Sequence, residues 1–135
     1  MDNAELLRAG IDCWNRDDRD GWLRLLAPDI EVQTAGVFPD LAPVYRGHEA
    51  AARFWLQLRE PWEVFRIDVE RIEAEADVAV AGVRFRATGV DSGVKVDMRF
   101  GNAIRIRDGL ATVLLNRTSP EEARDALLEE SRTRD

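Results

Sequence analysis

The sequence predicts an α+β fold, with helices leading and an antiparallel sheet following, on three observations. Val94 to Ile106 alternates in polarity almost without a break, as a strand with one buried face does. Up to Arg59 the apolar residues recur mostly at helical spacing, whereas strand-period alternation dominates from Glu63 to Thr118. Tight-turn signals at Glu75-Ala76-Asp77, Asp91-Ser92-Gly93 and Arg107-Asp108-Gly109 divide that second part into four strands, an antiparallel meander.

The first element, Asp2 to Arg16, places Leu7, Ile11 and Trp14 on one helical stripe, widened by Leu6, Gly10 and Cys13. Asp17-Asp18 breaks it. Asp20 is the expected cap of a second short helix carrying Trp22, Leu23, Leu25 and Leu26 and ending before Pro28. Ile30 to Thr34 reads as a short strand, followed by a loop with Gly36, Pro39 and Pro43. A third helix spans His48 to about Arg59, with Ala51, Phe54, Trp55 and Leu58 on its buried side and Pro61 beyond its end.

The strands are expected at Glu63 to Ala74, Val78 to Thr88, Val94 to Ile106 and Leu110 to Thr118. In the third, Val94, Val96, Met98, Phe100, Ile104 and Ile106 share a face with a single amide, Asn102. Lys95, Asp97, Arg99 and Arg105 then face water or a partner. Ser119-Pro120-Glu121-Glu122 combines a serine cap with proline at the first helical position, so a last helix should run to about Glu130. The reading is one domain over residues 1–130, with a charged tail, 131–135, that frays.

Charge and composition exclude several classes. The net charge of −7, from 26 acidic against 19 basic residues, opposes binding to polyanionic nucleic acid. The single cysteine, Cys13, cannot form an internal disulfide. Without an apolar run near 20 residues or a signal-peptide pattern, neither membrane insertion nor export is expected, and the cytoplasm is the expected location. One histidine, one cysteine and no spaced carboxylate cluster argue against a metal site, and no phosphate-binding glycine loop or nucleophile motif occurs. No cofactor is therefore expected. Lys95 is the only lysine, a bias associated with GC-rich coding DNA and thus with a bacterial source.

Four segments, in order and at their spacings, carry a family resemblance over nearly the whole chain. They are Trp14-Asn15-Arg16-Asp17, Leu25-Leu26-Ala27-Pro28-Asp29-Ile30-Glu31-Val32, Val44-Tyr45-Arg46-Gly47-His48-Glu49 and Arg105-Ile106-Arg107-Asp108-Gly109. Together the chain resembles the SnoaL-like branch of the nuclear transport factor 2-like superfamily. The resemblance implies a cone: a curved antiparallel sheet wrapping the first helix, with an internal pocket for small apolar molecules. It also implies a homodimer through the outer sheet face. Because the superfamily holds isomerases, cyclases, dehydratases, epoxide hydrolases and members without known chemistry, fold leaves function open.

By that resemblance, the tyrosine, base and protonated aspartate of ketosteroid isomerases match Gly10, Thr34 and Asn102. None keeps its catalytic identity: threonine is no base near neutral pH, and an amide donates a hydrogen bond without transferring a proton. The inward positions expected on the last two strands, including Leu114, Asn116 and Thr118, hold no carboxylate either. Asn102 and Asn116 could polarise a ligand carbonyl, or they could bond to each other, to backbone or to water.

His48, at the start of the third helix, is the one side chain that ordinarily titrates near neutrality, so it reads either as a structural residue or as a general acid–base at the pocket rim. Tyr45 could donate inward or lie across the mouth. The loop with Val37, Phe38, Asp40 and Leu41 reads as a lid or as a packed surface loop. Asn102, His48 and Tyr45 are thus the candidate catalytic groups, and Trp14, Val32, Thr34, Phe54, Met98, Phe100, Ile104, Leu114 and Asn116 the candidate ligand contacts. The function expected is binding of a small apolar molecule, with an isomerase, lyase or cyclase step on side chains alone. The alternative is a non-catalytic dimeric or regulatory module whose interior is filled by its own aromatics. Arg84 and Arg86 are expected to pair across the outer sheet with Asp97 or with a second subunit.

Overall fold

The computed structural model orders the elements as α1 (Asn3–Asn15), α2 (Arg19–Leu23), β1 (Leu26–Gln33), β2 (Val44–Arg46), α3 (Gly47–Arg59), β3 (Trp62–Glu75), β4 (Val78–Gly89), β5 (Lys95–Arg107), β6 (Leu110–Arg117) and α4 (Pro120–Arg134). It describes residues 1–34, 37–38 and 40–134, and side chains as far as residue 130. Gly36 and Pro39 of the expected loop lie outside the described residues. No described helix is long and apolar enough to cross a membrane.

Among the described residues six strands form one sheet in the order β2-β1-β6-β5-β4-β3. The meander β3 to β6 is antiparallel as the turns predicted, and its turns close with left-handed Ala76, Asp108 and Gly109. One pairing departs from an all-antiparallel sheet: β1 runs parallel to β6. Its register jumps between Leu26 and Glu31, and Pro28, which has no N–H to donate, sits inside that jump. Further irregularities at Val69/Arg71 and Arg105/Ile106 bend their strands, which lets the sheet curve around α1.

Several boundaries differ from the sequence reading for local reasons. Asp18, not Asp20, caps α2, its Oδ1 accepting from the Gly21 N–H at 2.9 Å. The short helix ends at Leu23, and Leu26 already belongs to β1, because pairing with β6 outweighs the helical spacing of the leucines. β2, only three residues long, falls in what reads as loop. α1 ends in a Schellman turn: Asp17 takes a φ of 57°, and the Asp18 N–H reaches the Cys13 carbonyl at 2.8 Å. Val94, assigned to the buried face, is 57% exposed, since β5 begins one residue later.

The largest correction concerns the other face of β5. Ala103 is fully buried, together with Val113 and Leu115 of β6, beneath Ala123 and Leu127 of α4. Arg105 is half-buried there too, donating to the Leu127 carbonyl at 3.2 Å and lying 3.5 Å from Asp77. The helix begins where Ser119 accepts from the Glu122 N–H at 3.1 Å, the expected serine cap. Gly101 makes the crossing possible, because a Cβ there would lie 2.2 Å from the Ser119 carbonyl oxygen. The sheet therefore carries α1 and α3 on its concave side and α4 over one end of its convex side.

Candidate functional site

The interior holds a cavity of about 60 Å³ between α1 and the concave sheet face, also lined by Trp22 of α2, Phe54 and Leu58 of α3 and Phe38 of the β1–β2 loop. Strand alternation turns Val83, Phe85, Phe100, Ile104 and Leu114 into it, and helical spacing brings Leu7, Ile11 and Trp14 from the other side. No ionisable side chain lines it among the described residues. Asn102 and Asn116 are the lining amides.

These two residues are direct cross-strand partners in the β5–β6 register. Asn102 Nδ2 donates to Asn116 Oδ1 at 2.6 Å, so the amides bond to each other, one of the arrangements open from sequence. Asn116 is 4% exposed and Asn102 half-buried. Each amide keeps hydrogen-bonding capacity beyond that bond, through the Asn102 carbonyl and the Asn116 amino group. Turning both amides by half a revolution preserves the bond with donor and acceptor exchanged. The pair can thus offer either a donor or an acceptor to a guest.

Of the candidate ligand contacts, Trp14, Phe54, Phe100, Ile104, Leu114 and Asn116 line the cavity with Asn102, while Val32, Thr34 and Met98 do not. Val32 is fully buried in the core, and Met98 packs against that core while half-buried. Thr34 donates to the Ala42 carbonyl at 2.8 Å, fastening the loop. Tyr45 also stays outside the cavity: its hydroxyl donates to Gln57 Oε1 at 2.6 Å and accepts from the Ala42 N–H at 3.0 Å. His48 is exposed, and its Nε2 binds the Leu26 carbonyl at 2.9 Å. Neither reaches the amides through the cavity wall.

Gly10, matched to the isomerase tyrosine, and Phe38, on the loop read as a lid or a packed surface loop, both line the cavity, whereas sequence reasoning missed Trp22, Phe65, Ile67, Val83 and Phe85 as lining residues. The signal was present for β3 and β4, whose inward phases follow from alternation once the meander is registered against β5. Trp14 is the centre of an aromatic cluster, stacked on Trp55 at 3.9 Å and edge-on to Trp22 at 5.2 Å. Arg59 covers that cluster, its guanidinium 4.7 Å from the Phe65 centroid, while it donates to the Trp14 carbonyl and pairs with Asp17 at 3.2 Å. Burial pushes the nearby Cys13 thiol up, against the opposing charge of Arg16.

The convex face of β3, β4 and β5 is charged and internally paired. Arg84 grips Asp97 through two bonds, at 2.9 and 2.6 Å, while Arg86 and Arg66 both bind Asp68 and Arg99 binds Glu70. Hydrogen bonds from Arg66 and then Arg86 hold the Asp68 carboxyl below the usual range, and Arg84 does the same to Asp97. Among the described residues, no group of three or more His, Cys, Asp or Glu side chains is placed to hold a metal ion.

A six-stranded curved open sheet with an N-terminal helix matches the cone fold of the nuclear transport factor 2-like class. The SnoaL-like domain profile matches residues 7–114, and the chain belongs to that family. Solved structures agree at the level of fold. An NTF2-like protein of unknown function from Burkholderia pseudomallei superposes with a TM-score of 0.77 at 21% identity, covering 90% of this chain and 95% of that one. A ketosteroid isomerase-like protein from Catenulispora acidiphila, solved with trimethylamine, gives 0.75 at 12% identity, covering 85% of each chain. A candidate SnoaL-like polyketide cyclase from Jannaschia gives 0.74 at 20% identity, covering 84% of this chain and 83% of that one. No curated protein matches the chain by sequence.

Proposed function

We propose that this SnoaL-like protein binds a small, neutral, apolar molecule in the cavity between α1 and the sheet, with the Asn102–Asn116 pair as its polar contact. The observation that supports this reading is the composition of the wall: apolar and aromatic side chains converge on two amides, with no ionisable lining group among the described residues. Such a wall favours an uncharged guest, since an ion would lose its hydration without compensation. An isomerase, lyase or cyclase step belongs to the same reading only with polarisation by the amides, because among the described residues no lining group is an acid or a base. His48 and Tyr45 hold structure in this reading.

A second reading, a non-catalytic module with a self-filled interior, draws support from size. The cavity of about 60 Å³ is smaller than the roughly 150 Å³ in which an engineered apolar cavity holds benzene. Phe38 fills part of the space, edge-on to Phe100 at 5.6 Å and to Phe85 at 6.3 Å. Homodimerisation through the convex face fits either reading. The convex area left for it includes β3, the later part of β4 and the start of β5, because α4 packs over Ala103, Val113 and Leu115, with Val78 and Val80 of β4 against the same cluster.

The two readings separate in a thermal-shift screen of small cyclic ketones, lactones and their hydrocarbon counterparts. A guest at about a hundred times its Kd stabilises by roughly 2.7 kcal/mol, so binding is expected as a saturable rise in Tm that Asn102→Leu reduces. No shift across the panel would support the self-filled module.

A further inference from the structure

We propose that Gly10 and Trp22 form a second hydrogen-bonding station of the cavity, where the Trp22 indole N–H donates to a neutral oxygen of the guest. The proposal rests on the binding reading above and narrows the ligand class to uncharged molecules that carry a carbonyl, ether or hydroxyl oxygen on an apolar ring.

Gly10 has no backbone reason to be glycine. It lies inside α1, is absent from the residues with positive φ, and would receive a Cβ without a clash, the nearest heavy atom being Trp22 Cδ1 at 3.6 Å. A glycine within a helix costs about 1 kcal/mol relative to alanine. What its missing side chain leaves open is the cavity wall, for Gly10 and Trp22 both line it.

The indole lies at that opening. Trp22 Nε1 would be 3.9 Å from a Cβ on Gly10, so the nitrogen sits at the gap the glycine leaves. Trp22 is 2% exposed, yet its N–H has no acceptor among the hydrogen bonds of the described residues. An indole nitrogen is a donor only, and this one is not among the fully buried unpartnered atoms of the described residues, so it keeps a little accessible surface from which to donate. With no cation on the wall among the described residues to balance a carboxylate or phenolate, the fitting acceptor is a neutral oxygen.

The test uses cyclohexanone and methylenecyclohexane, which differ in C=O against C=CH2, with the ¹⁵N-labelled full chain. The Trp22 indole resonance, assigned by through-bond correlation, is expected to move on titration with the ketone and to stay in place with the hydrocarbon. Trp22→Phe is expected to reduce the ketone-over-hydrocarbon preference about fivefold, the worth of one hydrogen bond. If both compounds shift other cavity resonances while the Trp22 indole stays still under the ketone, the station is overturned and the binding reading survives. If neither compound shifts any cavity resonance at the solubility limit, both fall. Should Trp22→Phe fail to fold, the wild-type indole titration decides alone.

Discussion

Asn15, the last residue of α1, bonds both backbone groups of Ile67 in the edge strand β3: its Nδ2 donates to the Ile67 carbonyl at 2.8 Å, and its Oδ1 accepts from the Ile67 N–H at 2.7 Å. One side chain thus stands in for a missing neighbouring strand. It closes part of an open sheet edge and fixes the end of α1, from which Trp14 reaches the cavity.

Asn15→Ala should therefore destabilise the fold more than an ordinary helix-end substitution. Removing the amide leaves the Ile67 N–H and C=O without their partner in a half-buried site, a loss of about 1–3 kcal/mol. Urea unfolding measures it. A loss below about 0.5 kcal/mol, the range of neutral surface substitutions, would contradict the edge-sealing role.

The amide pair should behave as a unit. Asn102→Leu leaves the Asn116 amide buried without its partner, and Asn116→Leu does the same to Asn102, so each single change should cost about 1–3 kcal/mol. With both replaced, no orphaned amide remains. The double variant should then be less destabilised than the sum of the singles, by about 1 kcal/mol or more in a double-mutant cycle. Strict additivity would show that the two residues act independently.

How far the sequence reveals this molecule depends on whether a signal is local or long-range. Alternation in β5 and the turn at Asp108-Gly109 are local, and they place Phe100, Asn102 and Ile104 on the cavity face without reference to any other element. The capping of α4 by Ser119 is equally local. The docking of α4 is not: Ala123 and Leu127 are too few to announce a buried stripe, and the clue lay in Ala103 and Gly101, small residues on the supposedly wet face of β5. Trp22 likewise reads as core from its own helix, and only the gap at Gly10 in another helix turns it toward the cavity. Tyr45 and His48 look chemical because of their residue types. Their bonds to Gln57 and Leu26 depend on how α3 meets β1 and β2, which spacing does not encode.

Gly10→Ala should separate stability from binding. The added methyl restores helix propensity in α1 and meets Trp22 and Leu25 at ordinary contact distances, so stability should rise by about 0.5–1 kcal/mol. The same methyl narrows the cavity at the indole, and binding of cyclohexanone should weaken. A variant that is more stable with unchanged affinity would remove Gly10 from the site.

Acid should destabilise the convex face within a defined window. The carboxyls of Asp68, Asp97 and Glu121 are held low in the folded protein by Arg66 with Arg86, by Arg84 and by Arg71. A depressed folded value means that the contribution is complete above the unfolded pKa and lost as pH falls through the folded one. Stability from these groups should be level between about pH 7 and 5 and decline below about pH 4. Asp68→Asn should flatten the decline, and 0.5 M salt should shrink it because the pairs are exposed. A fall between pH 5 and 7 would point to some other group.

Phe38→Ala bears most directly on whether the cavity is a site or a packed interior. The Phe38 ring is half-buried, lies against Phe85 and Phe100, and borders the cavity from a loop tied down by Thr34 and Tyr45 through Ala42. Its removal should cost about 2 kcal/mol, less than a fully buried phenylalanine, because the ring is part-solvated already. Space for a ring then opens beside the amides. In a binding site the variant should take larger cyclic ketones than the wild type does, and its Tm should recover as those ketones saturate it. In a self-filled module the loss of stability should stand with no recovery by any guest, so calorimetry of one variant against ketones of increasing ring size distinguishes the two.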